Sequence, residues 1–217
     1  MSDTNIVFLP WARQGAASTI AAADPLNANL RGAAELTATL DINGQTVPIP
    51  VRLRGPADVL GIDPSEIVRT DPRPNVADFE PNYFATIEFD RPDFPWLFTP
   101  AKAGANQRLR PWLCLIVVRK QDGVTVRNAV DAPLPAIDIA APAKPIDELP
   151  DLNESWAWVH TQVSGTPAEV QAALTGTSDR SLARLMCPRI LQPNTEYIAC
   201  VVPTFDLGRK AGLGLEI

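Results

Sequence analysis

Proline is the feature that most constrains how this chain can fold. It occupies 22 of the 217 positions, about twice its usual share of ~5%, and it alternates with apolar runs along the sequence. Because proline lacks a backbone N–H and fixes φ, it interrupts helices and is excluded from central strands. The sequence therefore predicts an α+β or mostly β fold with antiparallel sheets, hairpins, two or three short helices and many proline-rich loops.

The clearest predicted element is a β-hairpin around an Asn-Gly pair at positions 43–44. Apolar and polar side chains alternate over 36–42 and again over 47–53, and Asn-Gly is the strongest two-residue hairpin signal. A two-residue loop brings the apolar side chains of both strands to one face, which we expect to be half buried. Pro48 and Pro50 cannot donate to a ladder, so we expect the second strand to lie at an edge or to pair only on the other side.

Further elements follow from apolar runs, turn residues and capping signals. A second hairpin is predicted around Asp122-Gly123, between a continuously apolar central strand at 113–118 and a strand at 124–130. The other predicted strands cover 6–9, 83–89, 155–163 and 196–202. Helices are predicted at 167–175, where residues 166–169 read as a capping box, at 178–186, and at 13–23.

The proline- and alanine-rich stretch 131–150 leaves two arrangements open. It either links two domains or lies extended on the body of one domain. Its isoleucines, Ile137, Ile139 and Ile146, favour the second arrangement, because a free linker has no need of apolar side chains. We therefore predict a single β-rich domain over 1–217, with any subdivision near 131–150.

Charge and cysteine usage bound the partners and the compartment. The formal charge is −6 and the basic residues are scattered, which disfavours nucleic acid and anionic membranes. Charged residues make up only 20%, below the usual ~25%, which fits either surface buried by partner subunits or displacement of charge by proline. Cys114, Cys187 and Cys200 lack C-x-x-C spacing and have apolar neighbours, so buried free thiols in a reducing compartment are predicted.

The start of the chain carries neither the basic nor the apolar region of a signal peptide. No apolar run approaches the ~20 residues that span a bilayer. We expect a cytoplasmic protein without membrane insertion, or one that leaves the cell by a route that needs no signal peptide.

Nothing in the residue pattern predicts catalysis. There is one histidine, His160, and there is no phosphate loop, nucleophile elbow or H-E-x-x-H motif. Acidic residues between Asp58 and Glu80 lack calcium-loop spacing and are interleaved with prolines, so loop capping and solvation are expected of them. They are Asp58, Asp63, Glu66, Asp71, Asp78 and Glu80. We predict no catalytic residue, no metal ligand, no cofactor and no enzymatic activity.

Two groups of aromatic residues are candidates for partner binding. The first lies in the proline-punctuated segment 79–118, whose prolines predict an extended path, so its rings pack either on the core or on a partner. The second lies in the predicted strand 155–163, where alternate side chains share one face that either binds a partner or packs under the preceding segment. The candidate partner-binding residues are Tyr83, Phe94, Trp96, Phe98, Trp112, Trp156, Trp158 and His160.

Four strings, at 79–100, 109–118, 149–158 and 185–189, resemble a group of uncharacterised bacterial proteins whose genes accompany contractile, phage-tail-like injection systems. The resemblance covers most of residues 79–210 and carries no motif of known chemistry. It implies a structural component or accessory of a large assembly, near its baseplate or tip, and transfers no active-site residue. Such proteins tend to be longer, which leaves open that this chain is an N-terminal portion.

The sequence therefore leaves three functions open. The leading one is a structural or assembly component that docks on protein subunits, copies of itself included. The second is a ligand-binding module, such as a carbohydrate binder that stacks sugars on Trp96, Trp112, Trp156 and Trp158. The third and least favoured is a hydrolase that uses paired carboxylates.

Overall fold

The computed structural model describes residues 5–16, 34–80, 82–128, 130, 132–175 and 179–216. The strands are β1 (Ile6–Leu9), β2 (Ala34–Ile42), β3 (Gln45–Leu53), β4 (Ile67–Asp71), β5 (Phe84–Phe89), β6 (Leu113–Arg119), β7 (Val124–Arg127), β8 (Ala136–Ile139), β9 (Val159–Ser164), β10 (Ser181–Ile190) and β11 (Tyr197–Pro203). The α-helices are α1 (Pro145–Glu148), α2 (Val170–Thr175) and α3 (Asp206–Gly212), and 3₁₀ segments include Phe94–Trp96 and Leu152–Trp158. The predicted β-rich fold with antiparallel sheets and short helices is confirmed.

The largest sheet described has five antiparallel strands in the order β1-β9-β10-β5-β4. Every second residue of its three middle strands faces inward; Ala183 and Leu185, for example, lie opposite Phe89 and Ile87 and are buried with them. The period of two explains why this sheet has one apolar inner face and one mixed outer face.

Strand β6 is covered on both faces, as its continuous apolar sequence predicts. It pairs with β11 in register from Leu113↔Pro203 to Arg119↔Tyr197. Leu113, Leu115 and Val117 join a core that contains Phe89 and Trp96, whereas Cys114, Ile116 and Val118 join a second core. The partly buried residues packed against that second core are Ile137, Ile139, Leu149, Leu152, Ile198, Cys200 and Val202.

The predicted hairpin around Asp122-Gly123 is wrong. Strand β7 pairs with β8, and β6 pairs with the distant β11. Gly123 has a φ of +85°, and a Cβ built there would lie 2.1 Å from the carbonyl oxygen of Ala140. Glycine is therefore needed at position 123 because two segments approach each other closely there. The sequence alone does not distinguish this close approach from a hairpin turn, because both favour glycine.

Two other predicted elements have a different conformation. Residues 155–158 belong to the 3₁₀ segment, because the Asp151 carboxylate accepts the N–H of Asn153 at 2.9 Å and starts a turn. The predicted helix at 178–186 is largely the strand β10, whose side chains alternate between buried and half-buried from Ser181. Residues 181–185 of this strand pair with β9, and residues 183–186 pair with β5 on the other side.

The remaining predictions differ mainly in their bounds. Helix α2 starts at Val170, after a turn in which the Glu169 carboxylate accepts the Thr166 N–H at 2.7 Å, as a capping box does. The strand predicted over 124–130 ends at Arg127. Strands β4 and β8 were not predicted. Most of the predicted helix 13–23 lies outside the described residues.

Residues 132–150 lie against β6 in part. Ile137 and Ile139 pack on the second core, whereas Ile146 is 84% exposed and contributes nothing to it. Glu148 is 3% exposed and its carboxylate holds three groups together. Its carboxylate accepts the Arg119 N–H at 2.8 Å and the Gln121 Nε2 at 2.9 Å, and forms an ion pair with Arg189 at 3.2 Å.

We predict that Glu148→Ala lowers the free energy of unfolding by about 3 kcal/mol, because it leaves the nearly buried Arg189 without its counter-ion and two donors without an acceptor. Urea unfolding of the purified protein measures this change. The control is Asp147→Ala, at the exposed neighbouring position, which we expect to change stability by at most about 0.5 kcal/mol. Equal losses of stability in both variants would contradict the role of the Glu148 carboxylate in holding these three groups.

Candidate functional site

Three of the candidate partner-binding aromatics lie in the core. Phe94, Trp96 and Trp112 are buried, Trp96 completely. The indole Nε1 of Trp112 donates to the Phe94 carbonyl at 2.7 Å, and the Phe94 ring stacks on Phe89 with centroids 4.7 Å apart. A docking surface through these residues is therefore a wrong expectation, because the segment folds inward around the fully buried Pro95 and Pro100.

The other two candidates of that segment are more accessible. Phe98 is half-buried and meets Trp112 edge-on, with centroids 5.0 Å apart. Tyr83 is 67% exposed and has Phe79 as its ring neighbour at 6.5 Å. The two rings have no partner in common, so they do not form one aromatic surface.

Trp156, Trp158 and His160 do not form the predicted row, since the strand begins only at Val159. The Arg108 guanidinium lies 3.9 Å from the centre of the Trp156 ring. Trp158 meets Phe84 at 6.2 Å, and His160 meets Phe8 at 5.3 Å. On the opposite face of the strand, Val159, Thr161 and Val163 are buried, whereas Ala157, which lies in the 3₁₀ segment before the strand, is exposed.

His160 stands in a row of side chains on the outer face of the five-stranded sheet. Arg184 is opposite His160 on one side and opposite Glu88 on the other, and its Nε donates to the Glu88 carboxylate at 2.9 Å. The Nε2 atom of His160 is buried and has no hydrogen-bond partner among the described residues. Burial, and then the charge of Arg184, lower the pKa of His160 below its ordinary value of 6.5, and Glu88 opposes this less strongly.

One face of the β2–β3 hairpin carries five of the exposed large apolar side chains of the described residues. The strands pair in the register that a two-residue loop at 43–44 requires, from Ala34↔Leu53 to Ile42↔Gln45. The predicted half burial holds for Leu36, Ala38 and Leu53 only, because little of the described chain covers the rest of this face. We call it the hairpin apolar face; its residues are Leu36, Ala38, Leu40, Ile42, Val47, Ile49, Val51 and Leu53. Five of them, namely Leu40, Ile42, Val47, Ile49 and Val51, are 37–54% exposed.

The turn of this hairpin is well defined. Asn43 and Gly44 both have positive φ, 53° and 78°, as a type I′ turn requires. The Gly44 N–H donates to the Asp41 carboxylate at 2.9 Å. The hairpin is therefore held by its own turn and ladder, although an isolated two-stranded hairpin is only marginally stable in water.

Several acidic side chains of the described residues are engaged within the protein. A depression of about 250 Å³ between α1 and β10 is lined by Glu148 and Arg189, which already pair with each other. Asp58 accepts the Gly55 N–H and Asp63 accepts the Ser65 N–H, both at 2.9 Å, which is the capping role expected of these carboxylates. No group of three or more histidine, cysteine or acidic side chains that could hold a metal occurs in the described ranges.

The cysteines are free thiols, and burial is the main influence on each. Cys114 and Cys187 are buried and Cys200 is half-buried. Burial raises the pKa of the Cys114 thiol to about 12, and it raises the pKa values of the other two thiols as well. A thiol with a raised pKa is a poor nucleophile at neutral pH, because the thiolate is the reactive form.

No protein family, curated protein or solved structure matches this chain. None of the helices in the described ranges is long and apolar enough to cross a membrane.

We predict that the stability of the protein falls as the pH drops below about 6.5, the ordinary pKa of histidine. The folded state holds His160 neutral at a lowered pKa, so the unfolded state takes up a proton first and is favoured. The loss levels off once the pH passes below the pKa of the folded state. Thermal unfolding between about pH 5 and pH 8 follows this change.

The control is His160→Gln, which removes the only histidine of the chain. We expect its stability to lack this slope between about pH 5 and pH 7, where histidine ordinarily titrates. If the wild type and the variant lose stability in parallel over this range, His160 is not the group responsible.

Proposed function

We propose that this protein is a structural or assembly component of a contractile, phage-tail-like injection particle, and that it docks on other protein subunits through the hairpin apolar face. The kind of particle rests on the sequence resemblance. The observation that carries docking is the hairpin itself, because it presents a row of exposed apolar side chains on two nine-residue strands.

The free energy of apolar burial favours a partner surface that covers this face. Fully burying a valine, leucine or isoleucine side chain contributes about 1.5–3 kcal/mol. Covering five side chains that are 37–54% exposed would then contribute roughly 5 kcal/mol. Contiguous exposed apolar patches of this kind mark interaction sites, whereas single exposed apolar residues do not.

Geometry supports a protein surface as the occupant. The face is formed by two paired strands with valine, leucine and isoleucine at alternate positions, and it is an exposed strip rather than a cavity. An exposed apolar strip of paired strands fits a second layer of apolar side chains, as in sheet-on-sheet packing. It lacks the concave shape and convergent polar groups of a small-molecule site.

The carbohydrate-binding alternative has less support. Trp96 and Trp112 are buried, and the Arg108 guanidinium occupies one face of Trp156. Only Trp158, half-buried against Phe84, remains of the four proposed stacking platforms. The hydrolase alternative is also weaker, since Asp58 and Asp63 are engaged in capping their own loops.

We predict that Val47→Lys reduces incorporation into the particle more than about tenfold, because burying an unpaired ammonium costs well over the 1.4 kcal/mol that corresponds to a factor of ten. Val47 is 40% exposed, so the variant is expected to fold. The measurement is the amount of protein that co-sediments with particles from the producing cells.

The matched control is Thr46→Lys, which places the same charge one residue away on the opposite face of the hairpin. It should be incorporated normally. Normal incorporation of Val47→Lys, or absence of the wild-type protein from purified particles, contradicts the proposal.

A further inference from the structure

The two outer edges of the hairpin differ in what they can bond. Ile42 and Gln45 flank a two-residue turn, so they form a hydrogen-bonded pair, and such pairs alternate along the strands with non-hydrogen-bonded ones. The N–H and C=O groups of the residues in the non-hydrogen-bonded pairs point away from the hairpin. On β2 these residues are Glu35, Thr37, Thr39 and Asp41, and on β3 they are Thr46, Pro48, Pro50 and Arg52.

The outer edge of β3 is therefore protected, because Pro48 and Pro50 have no N–H to offer to another strand. Proline at an outward-facing edge position is a common device against edge-to-edge pairing. The outer edge of β2 has no such protection: Thr37 and Thr39 keep their N–H groups, and threonine favours strands. In the described part of the chain, β2 has β3 as its sheet partner and no other.

We propose that the free edge of β2 pairs antiparallel with β2 of a second copy of this chain. The result is a four-stranded sheet in the order β3-β2-β2-β3 with a two-fold axis at Thr39. In this register Leu36 stands opposite Ile42 and Ala38 opposite Leu40, so apolar side chains meet on one face and polar ones on the other.

The pairing of Asp41 with Thr37 selects this register over its neighbour. A two-fold axis at Ala38 would set Thr37 opposite Thr39 and so take Thr37 away from Asp41. An axis at Thr39 sets Asp41 opposite Thr37, whose hydroxyl is a donor to the carboxylate. The Asp41 Oδ1 atom already accepts the Gly44 N–H, and its second oxygen is the acceptor for that hydroxyl.

The assembly closes at two copies. Both outer edges of the four-stranded sheet are β3, with Pro48 and Pro50 on each, so neither edge can add a further strand. Isologous pairing of this kind gives a closed dimer, whereas two free edges on each copy would give an open chain.

The small contact area between the two β2 strands sets the expected strength of the dimer. Seven residues of each strand, 36–42, form about six backbone hydrogen bonds, and the contact buries less than the ~1,200 Å² of a standard stable interface. The dimer should therefore dissociate on dilution. Pairing along the edge leaves both hairpin apolar faces uncovered and side by side, so the dimer does not depend on what covers that face in a particle.

The test is the mass of the purified full chain by sedimentation equilibrium, from about 1 µM to about 1 mM, which spans the dissociation constants of weak dimers. We expect a monomer–dimer equilibrium. In Thr39→Pro the dissociation constant should rise at least about tenfold, because both sides of the axis lose a donor and gain a steric block. Thr46→Pro, at the corresponding outward position of β3, is the matched control and should dimerise normally.

Hairpin formation itself is compatible with these variants, since Pro48 and Pro50 already occupy equivalent positions. The double variant Pro48→Thr/Pro50→Thr frees the second edge and should form species larger than a dimer that grow with concentration. A wild type that stays monomeric to about 1 mM overturns the proposal, as does a Thr39→Pro variant that dimerises normally. A double variant that stops at two copies overturns the closure.

The outcome of the dimerisation test can be distinguished from that of the docking test. Thr39→Pro leaves every residue of the hairpin apolar face in place, so a monomeric variant that still enters particles supports edge pairing and docking as distinct properties. Failure of Val47→Lys to affect incorporation would remove the docking proposal and leave the dimer untouched.

Discussion

The burial of β6 on both faces is the constraint on which the fold depends. A strand with apolar side chains on both sides needs two apolar layers, and the chain supplies them from separate regions. One layer comes from the five-stranded sheet and the aromatic segment around Trp96, and the other from the stretch around Ile137 and Ile139. The Glu148 carboxylate then fixes the second layer, because it binds the backbone N–H of Arg119 at the end of β6 and the Arg189 side chain of β10.

Proline shapes the two functional regions of the chain in opposite ways. Pro95 and Pro100 are fully buried and direct the aromatic segment inward, where the Phe94 ring stacks on Phe89 and the Trp112 indole donates to the Phe94 carbonyl. Pro48 and Pro50 are exposed and remove donors from one edge of the hairpin. The same residue type therefore closes the core in one place and controls which edge can accept a strand in the other.

Local patterns were sufficient to predict some elements and not others. The Asn-Gly turn predicted the whole register of the hairpin, and continuous apolar sequence predicted that β6 is covered on both faces. Pairing over long distances was not predictable, so the glycine at position 123 was interpreted as a hairpin turn. Strand β10 has small and apolar residues whose spacing also fits a helix, and only its pairing with β9 and β5 decides between the two.

The candidate site, like the fold, is predictable from the sequence only in part. Sequence identified the aromatic residues but could not show that the prolines between them turn the segment inward. It also identified the alternation in the hairpin but assigned its apolar side to the core, because an apolar face is buried in most sheets. The two prolines of β3 indicate a strand at an edge of a sheet, but an edge position does not show whether the face of that strand is covered.

The position of the hairpin outside the main core has a consequence for binding. Its register is set by the turn at Asn43 and Gly44 and by its own ladder, so the apolar side chains already lie on one face before any partner is present. Preorganisation of this kind lowers the conformational entropy that is lost on association. A strip of modest area can therefore bind usefully, although the hairpin gains much of its own stability only when its apolar face is covered.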